Sequence, residues 1–165
     1  MKIMIHNDQD TNMYFSKPSY SLREAVEDDQ ETLRTWKNAH SQRFFYREKI
    51  SPAQQRQWFT NYLTRAEDHL FMVLVETLPI GCIGIRLLDD HWDIYNVIRG
   101  VNKPRSRGCM GAALHQVVEF ALQRKTVPVR LKVLANNPAH DWYKENLFSV
   151  IETGQDHVIM QYQTL

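Results

Sequence analysis

The sequence is short of cysteine and has no excess of either charge, and each shortage excludes a class of protein. Its two cysteines, Cys82 and Cys109, form no CxxC pair, and no His/Cys cluster has the spacing of a zinc site. We therefore expect two reduced thiols, no metal and a cytoplasmic location. Lys and Arg number 20 against 19 for Asp and Glu, so composition gives no electrostatic reason to expect a nucleic-acid partner.

Long hydrophobic runs are also missing. The longest covers residues 70–75, which is far too short to cross a bilayer. The N-terminal segment, residues 1–8, turns polar too early for a signal peptide. We expect no membrane partner.

What remains is an ordinary globular composition, in which 43% of the 165 residues are hydrophobic and 24% are charged. A chain of this length predicts one domain with its own core. We place this domain at residues 20–165, after an arm or peripheral strand at residues 1–19. Either a monomer or a homodimer is compatible with the composition.

Hydrophobic periodicity predicts an α/β fold. Ser51 and Asn137 are typical N-caps of helices, whereas Leu78 and Pro79 predict a turn. The elements follow the order β-α-α-β-β-β-α-β-α-β-β, which predicts a single domain with a mixed six- to seven-stranded sheet flanked by about four helices. The predicted strands cover residues 20–26, 69–76, 80–88, 92–101, 127–134, 149–153 and 157–163.

The segment richest in chemistry is residues 101–114, which runs from a strand through a basic, glycine-containing loop into a helix. Such a loop can direct several backbone N–H groups at one point, and the helix adds its positive N-terminal end. Arg105 and Arg107 add fixed positive charge. This combination predicts a phosphate or diphosphate site; the alternative is a surface turn with two solvated arginines. The loop has neither a GxxxxGK(S/T) nor a GxGxxG pattern.

A second informative segment follows the next predicted strand. Asn136 lies just past the strand end, and Tyr143 lies on the helix that comes after it. A phenol can donate one proton, and its reference pKa of about 10 suits a departing thiolate or amine. Tyr143 is therefore either a general acid or a core aromatic residue.

Together the two segments resemble the motifs of the GCN5-related N-acetyltransferases (GNATs), especially the branch of ribosomal-protein and sugar-nucleotide acetyltransferases. The resemblance covers residues 20–163. In that family a loop of the form (Q/R)xxGx(G/A) binds the diphosphate of coenzyme A through backbone N–H groups. A pattern NxxAxxxYxxxGF follows the next strand, and here it reads Asn136, Ala139, Tyr143 and then Leu147 and Phe148.

The resemblance implies a GNAT fold, acetyl-CoA as co-substrate, contact of Asn136 with the pantetheine arm and protonation of the leaving thiolate by Tyr143. Leu147 replaces a glycine that is structural in the family. The implied coenzyme-binding residues are Val101, Arg105, Arg107, Gly108, Cys109, Met110, Gly111, Ala112, Asn136 and Tyr143.

The register of the loop stays open. With Arg105 as its first residue, the pattern puts Met110 where Gly or Ala is usual. Counted from Val101 instead, the two small positions are filled by Cys109 and Gly111. The loop backbone then either curves differently from the family's or depends more on the arginines.

The implied reaction is direct acetyl transfer from acetyl-CoA to a primary amine. A neutral amine attacks the thioester, a side chain or water takes its proton, and Tyr143 protonates the sulfur. Asp93, on the fourth predicted strand, is the first candidate base, and His91, Asp90 and Glu76 are the alternatives. A backbone N–H near the end of that strand would polarise the thioester carbonyl, so the implied chemistry needs no metal.

The acceptor is expected over the first two helices, where Trp36, Asn38 and Tyr46 are the candidate substrate contacts. It is expected to be a small-molecule amine, such as an amino sugar, or a peptide N-terminus. The alternatives are a non-catalytic coenzyme A-binding or regulatory module and a structural domain that binds no coenzyme.

Overall fold

A mixed β-sheet runs through the protein, with two helices packed on each face. The computed structural model describes residues 18–164 together with the backbone of the short strand Met4–Ile5. The strands are β1 (Met4–Ile5), β2 (Ser21–Glu24), β3 (Asp68–Val75), β4 (Leu78–Leu87), β5 (Trp92–Arg99), β6 (Val129–Leu134), β7 (Phe148–Thr153) and β8 (His157–Tyr162). The helices are α1 (Gln30–Ala39), α2 (Pro52–Tyr62), α3 (Cys109–Arg124) and α4 (His140–Glu145).

The strands are arranged in the order β1-β2-β3-β4-β5-β6-β8-β7, and β5–β6 is the parallel pair among antiparallel neighbours. The predicted mixed sheet of six to seven strands with about four helices is confirmed, with β2–β8 as its seven main strands. Of the predicted arm over residues 1–19, most lies outside the described residues. Its Met4–Ile5 segment pairs with β2 as a peripheral strand.

The two faces of the sheet have separate cores. The side of α3 that carries Leu114, Val117 and Ala121 is buried against one face, because these residues recur at helical spacing. On the other face, Leu33 of α1 and Phe59 of α2 pack against β3 and β4. β3 and β4 are covered on both sides, which explains their nearly continuous apolar sequences.

The predicted start of α2 is confirmed. Ser51 Oγ accepts a hydrogen bond from the Gln54 N–H at 3.2 Å, and Gln54 Oε1 accepts one from the Ser51 N–H at 2.8 Å. This reciprocal pair is a capping box, and it satisfies two backbone donors at the helix start. At the other end of α2, the Tyr62 hydroxyl accepts a hydrogen bond from the Leu70 N–H at 2.9 Å and so ties the helix to β3.

Two local predictions are wrong. The turn between β3 and β4 is formed by Glu76 and Thr77, with Glu76 in the left-handed region at φ 57°, while Pro79 lies within β4. Pro79 is tolerated there because the register with β3 shifts at that point. The second wrong prediction is that Asn137 caps α4, because this helix begins only at His140. Asn137 instead caps an irregular turn, where its Oδ1 accepts a hydrogen bond from the Ala139 N–H at 2.9 Å.

The described residues contain no helix that is both long and apolar enough to cross a membrane.

Gly100 is where α1 meets the end of β5. A Cβ at this position would lie 1.9 Å from the Trp36 ring, so only glycine allows the ring to pack there. We expect Gly100→Ala to lower the free energy of unfolding by about 1–3 kcal/mol, the usual cost of overpacking. Urea unfolding of Gly100→Ala in the wild-type and Trp36→Ala backgrounds tests whether the clash with the ring is responsible. Without the ring, Gly100→Ala must no longer lower the free energy of unfolding. An equal loss in both backgrounds would contradict this contact.

Candidate active site

A cleft opens where β5 and β6 diverge. Their pairing ends at Ile94 and Leu131, after which β6 continues beside β8 and β5 continues beside β4. The resulting cavity has a volume of about 530 Å³. Its walls come from both strands, from the segment after α1 and from α4, so the cleft reaches both faces of the sheet.

Tyr143 lies on the wall that α4 provides. Its ring is held edge-on between Trp142 and Phe148, at centroid distances of 5.1 and 5.9 Å. The residue is 7% exposed, and burial raises the pKa of its phenol, which keeps the hydroxyl protonated. Within residues 18–164 this hydroxyl has no hydrogen-bond partner, so it remains available to a group in the cleft. The geometry is compatible with a proton donor, and the assigned role stays a prediction.

Asp93 lines the same cleft at its closed end, opposite Arg130 on β6. Arg86 on β4 donates to Asp93 Oδ2 from Nε, with Nη2 of the same guanidinium also 2.9 Å away. Burial raises the pKa of Asp93, and the charge and hydrogen bond of Arg86 oppose that rise. Asp93 is thus positioned as a carboxylate by an arginine, while its role as a base stays a prediction.

A β-bulge interrupts β5 within the cleft. Gly84 pairs with Tyr95 and Cys82 with Ile98, so Asn96 and Val97 together oppose one residue of β4. Asn96 adopts the left-handed conformation at φ 48°, which asparagine tolerates better than most residues. The bulge turns the Asn96 side chain toward α1, where its Oδ1 accepts a hydrogen bond from Lys37 Nζ.

A second cavity of about 410 Å³ lies beneath α1 and α2. It adjoins the cleft, because six residues line both spaces. These are Lys37, Tyr46, Arg86, Tyr95, Asn96 and Ile98.

The N-terminus of α3 presents unpaired backbone donors. The first backbone hydrogen bond of the helix is donated by Ala112 to the carbonyl of Gly108, at 3.1 Å. In the described part of the chain, the N–H groups of residues 108–111 donate to no protein acceptor. Gly108 caps the helix in the left-handed conformation at φ 77°, and it is exposed. This end of the helix therefore has the donors that an anion requires.

The side chains of this turn point away from those donors. Cys109 and Met110 are buried in the core, and a Cβ on Gly81 of β4 would lie 2.6 Å from Met110 Sδ. Met110 stands where the family's loop pattern has Gly or Ala. Because its side chain is buried in the core, it does not fill the space in front of the backbone donors. A Cβ on Gly111 would lie 2.8 Å from Asn146 Oδ1, so this glycine allows α3 to approach the end of α4.

Of the other predicted loop residues, the two arginines are exposed, whereas Val101 and Ala112 use their backbone N–H groups in hydrogen bonds within the protein. Arg105 forms an exposed ion pair with Glu76 at 2.5 Å, and Arg107 is exposed. The Val101 N–H donates a hydrogen bond to the carbonyl of Ile80 at 3.0 Å. Neither Val101 nor Ala112 therefore has a free amide, and a diphosphate would depend on the donors of residues 108–111.

The two asparagines after β6 differ in position, and contact of Asn136 with the pantetheine arm stays a prediction. Asn136 is exposed and lines neither cavity, whereas its neighbour Asn137 lines the cleft. Asn137 Nδ2 donates to the carbonyl of Arg43 at 3.3 Å, which links the end of β6 to the segment after α1.

The three predicted acceptor contacts are separated. Tyr46 is exposed and lines both cavities. Trp36 is half-buried and packs on Gly100, and Asn38 forms two hydrogen bonds with the backbone of Ile50, at 2.8 and 3.0 Å. Neither Trp36 nor Asn38 lines the two cavities, and their contact with an acceptor stays a prediction.

Three residues at the centre of the site are absent from the predicted set: Lys37, Arg86 and Asn96. Lys37 follows Trp36 in the sequence, but only the structure shows that its side chain enters the cleft. Asn96 within a predicted strand could have indicated the bulge, because asparagine is rare in strands and tolerates the left-handed conformation. Residues 18–164 contain no group of three His, Cys, Asp or Glu side chains that could hold a metal ion.

Comparison with known proteins agrees with this geometry. Residues 20–140 match the family model described as the acetyltransferase (GNAT) domain. No curated protein matches the sequence significantly.

Three solved structures illustrate the shared fold. FdhC, described as a nucleotide-linked sugar GNAT, has a TM-score of 0.74 at 15% identity over 92% of this chain and 90% of its own. PaiA N-acetyltransferase from Thermoplasma acidophilum, in complex with coenzyme A, has a TM-score of 0.68 at 17% identity over 88% of this chain and 99% of its own. PseH from Campylobacter jejuni, in complex with acetyl coenzyme A, has a TM-score of 0.67 at 12% identity over 89% of this chain and 100% of its own.

The family match spans most of the chain and includes the divided strands, the bulge and the N-terminus of α3. The chain therefore belongs to the GNAT acetyltransferase family, which uses acetyl-CoA as its co-substrate.

Proposed function

We propose that this protein is an N-acetyltransferase that transfers the acetyl group of acetyl-CoA to the primary amine of a small molecule. The observation that carries the proposal is Tyr143, a largely buried residue that lines the cleft between β5 and β6 and whose hydroxyl has no partner among the described residues. A phenol held in this way can protonate a thiolate that leaves inside the cleft.

The coenzyme would bind with its diphosphate at the N-terminus of α3 and its pantetheine arm between β5 and β6. The four donors of residues 108–111, which have no acceptor among the described residues, and the positive end of the helix suit a diphosphate. Arg105 and Arg107 lie in the same loop and add positive charge. The thioester would then lie near the bulge at Asn96, close to the cavity beneath α1 and α2.

The chemistry would proceed by direct attack. The neutral amine forms a C–N bond with the acetyl carbon, the C–S bond breaks, and Tyr143 donates a proton to the sulfur. Asp93 is the carboxylate that lines the cleft in the described part of the chain, and it would accept the proton of the amine directly or through water.

A small-molecule acceptor is favoured over a peptide N-terminus because the second cavity lies beneath two helices. Its lining includes Trp58, Gln54 and Gln55. Trp58 offers a flat apolar surface, and each amide has one polar atom besides the one bonded to Ser51 or Gln30. Such a wall suits a compact polar molecule, for instance an amino sugar. The relative FdhC, a nucleotide-linked sugar GNAT, supports the same acceptor class.

Tyr143→Phe tests the proton donor. The ring and its packing remain, so we expect turnover to fall by about 100-fold, while the Kd for acetyl-CoA changes little. Steady-state kinetics and calorimetry measure the two effects separately. Tyr162→Phe is the matched control, because Tyr162 also packs on Phe148 but does not line the cleft. Equal turnover in wild type and Tyr143→Phe would remove Tyr143 from the mechanism.

Gly108→Asp tests the diphosphate site. Asp and Asn both tolerate the left-handed conformation, but only Asp adds a negative charge beside the free donors. We expect calorimetry to show coenzyme A binding at least about 10-fold more weakly to Gly108→Asp than to Gly108→Asn, a difference of about 1.4 kcal/mol. Equal affinities of the two variants would place the diphosphate elsewhere.

A further inference from the structure

The cleft concentrates positive charge in a protein whose net charge is only +1. Six basic side chains line it, whereas Asp93 is the one acidic residue among the described lining residues. The basic residues are Lys37, Arg43, Arg86, Arg99, Arg130 and Lys132. Because Lys and Arg barely outnumber Asp and Glu in the whole chain, this excess is local to the cleft.

Few of these cations have an acidic partner. Asp93 pairs with Arg86 at 2.9 Å, and Arg130 lies 3.7 Å from a carboxylate oxygen of Asp90. Across residues 18–164, the other four cations make no ion pair with a carboxylate. Carboxylates of the described residues therefore neutralise only two of the six cations in the cleft.

Lys37 is the most constrained of the four. Its Nζ donates to the neutral Asn96 Oδ1 and lies 3.4 Å from the centroid of the Phe44 ring. Burial lowers the pKa of Lys37 from 10.5 to about 8, so the ammonium is still the main form at neutral pH. An ammonium has three donors, and a buried one is costly without a counter-ion.

The diphosphate of the coenzyme does not explain this charge. The donors proposed for it belong to residues 108–111, and these residues line neither cavity. Lys37 and Arg86 instead line both the cleft and the cavity beneath α1 and α2. They lie where the acceptor would enter.

Resting on the proposed function, we propose that the acceptor carries an anionic group, a phosphate or a carboxylate, in addition to its amine, and that Lys37 pairs with that group. Lys37 is then a specificity-determining residue. Arg86 lies at the junction of the same two cavities and reinforces the attraction, while its ion pair keeps Asp93 in place.

Matched acceptors test the charge requirement. Glucosamine is the neutral acceptor, glucosamine 6-phosphate adds a phosphate, and muramic acid adds a carboxylate. We expect kcat/KM for at least one charged acceptor to exceed that for glucosamine by 10-fold or more. Lys37→Met must remove this preference and Lys37→Arg must retain much of it. Lys49→Met is the control, because Lys49 also contacts α1, through the Asn38 carbonyl, but lines neither cavity.

A binding measurement separates this inference from the proposed reaction. Sulfate, which stays doubly charged above neutral pH, is titrated into the protein with coenzyme A present in excess. We expect the Kd for sulfate to be at least 10-fold higher in Lys37→Met than in wild type or Lys49→Met. Affinity in wild type must fall as the pH rises through about 8, where Lys37 loses its proton. The adjacent Cys82 thiol stays neutral there, because burial raises its pKa to about 12.

The outcomes distinguish the two claims. If acetyl-CoA does not bind, the proposed reaction fails, and the sulfate comparison still decides whether Lys37 binds an anion. If acetyl-CoA binds but glucosamine is the best acceptor, the inference is overturned. Equal sulfate affinity in wild type and Lys37→Met also overturns it.

Discussion

The early end of hydrogen bonding between β5 and β6 is the constraint on which the site depends. These two strands are the parallel pair of the sheet, and they pair over only three residues, Trp92 to Ile94 on β5. Beyond that point each strand has a neighbour on its outer side alone, so the sheet opens without losing its two cores. The opening gives an extended ligand access to both faces of the sheet. Tyr143, Asp93 and Lys37 all lie on its walls.

The surrounding elements convert this opening into a site. Helix α4 follows β6 and places Tyr143 on the wall, while α3 follows β5 and begins with four N–H groups that have no acceptor among the described residues. On the opposite face, α1 brings Lys37 to the bulge at Asn96. Under the proposed function, the coenzyme and the acceptor would bind on different faces and meet where the strands diverge.

Local signals explain what could be predicted from the sequence. The capping box at Ser51 and the helical spacing along α3 depend on neighbouring residues, and both are present in the structure. The prediction that Tyr143 lies on the helix after β6 also rests on nearby residues, and the structure has it there. Leu147, which replaces the family's glycine, adopts φ 67°, so the glycine-like conformation is retained although the residue has changed. These features need no information about distant contacts.

Long-range contacts explain what could not be predicted. Asn38 resembled an acceptor contact in sequence, but its amide is occupied by the backbone of Ile50, twelve residues later. Asn136 and Asn137 are adjacent and chemically identical, and only the turn after β6 decides which one enters the cleft. The position of Lys37 depends on how α1 packs over β5. Side-chain direction at such points follows from tertiary packing.

The most direct test of the central claim is an amide NMR titration of the ¹⁵N-labelled protein with coenzyme A. The account predicts that the largest chemical-shift changes occur at the N–H groups of residues 108–111 and along β5 from Tyr95 to Arg99. Changes confined to other surfaces, or none at saturating coenzyme, would contradict binding between the diverging strands.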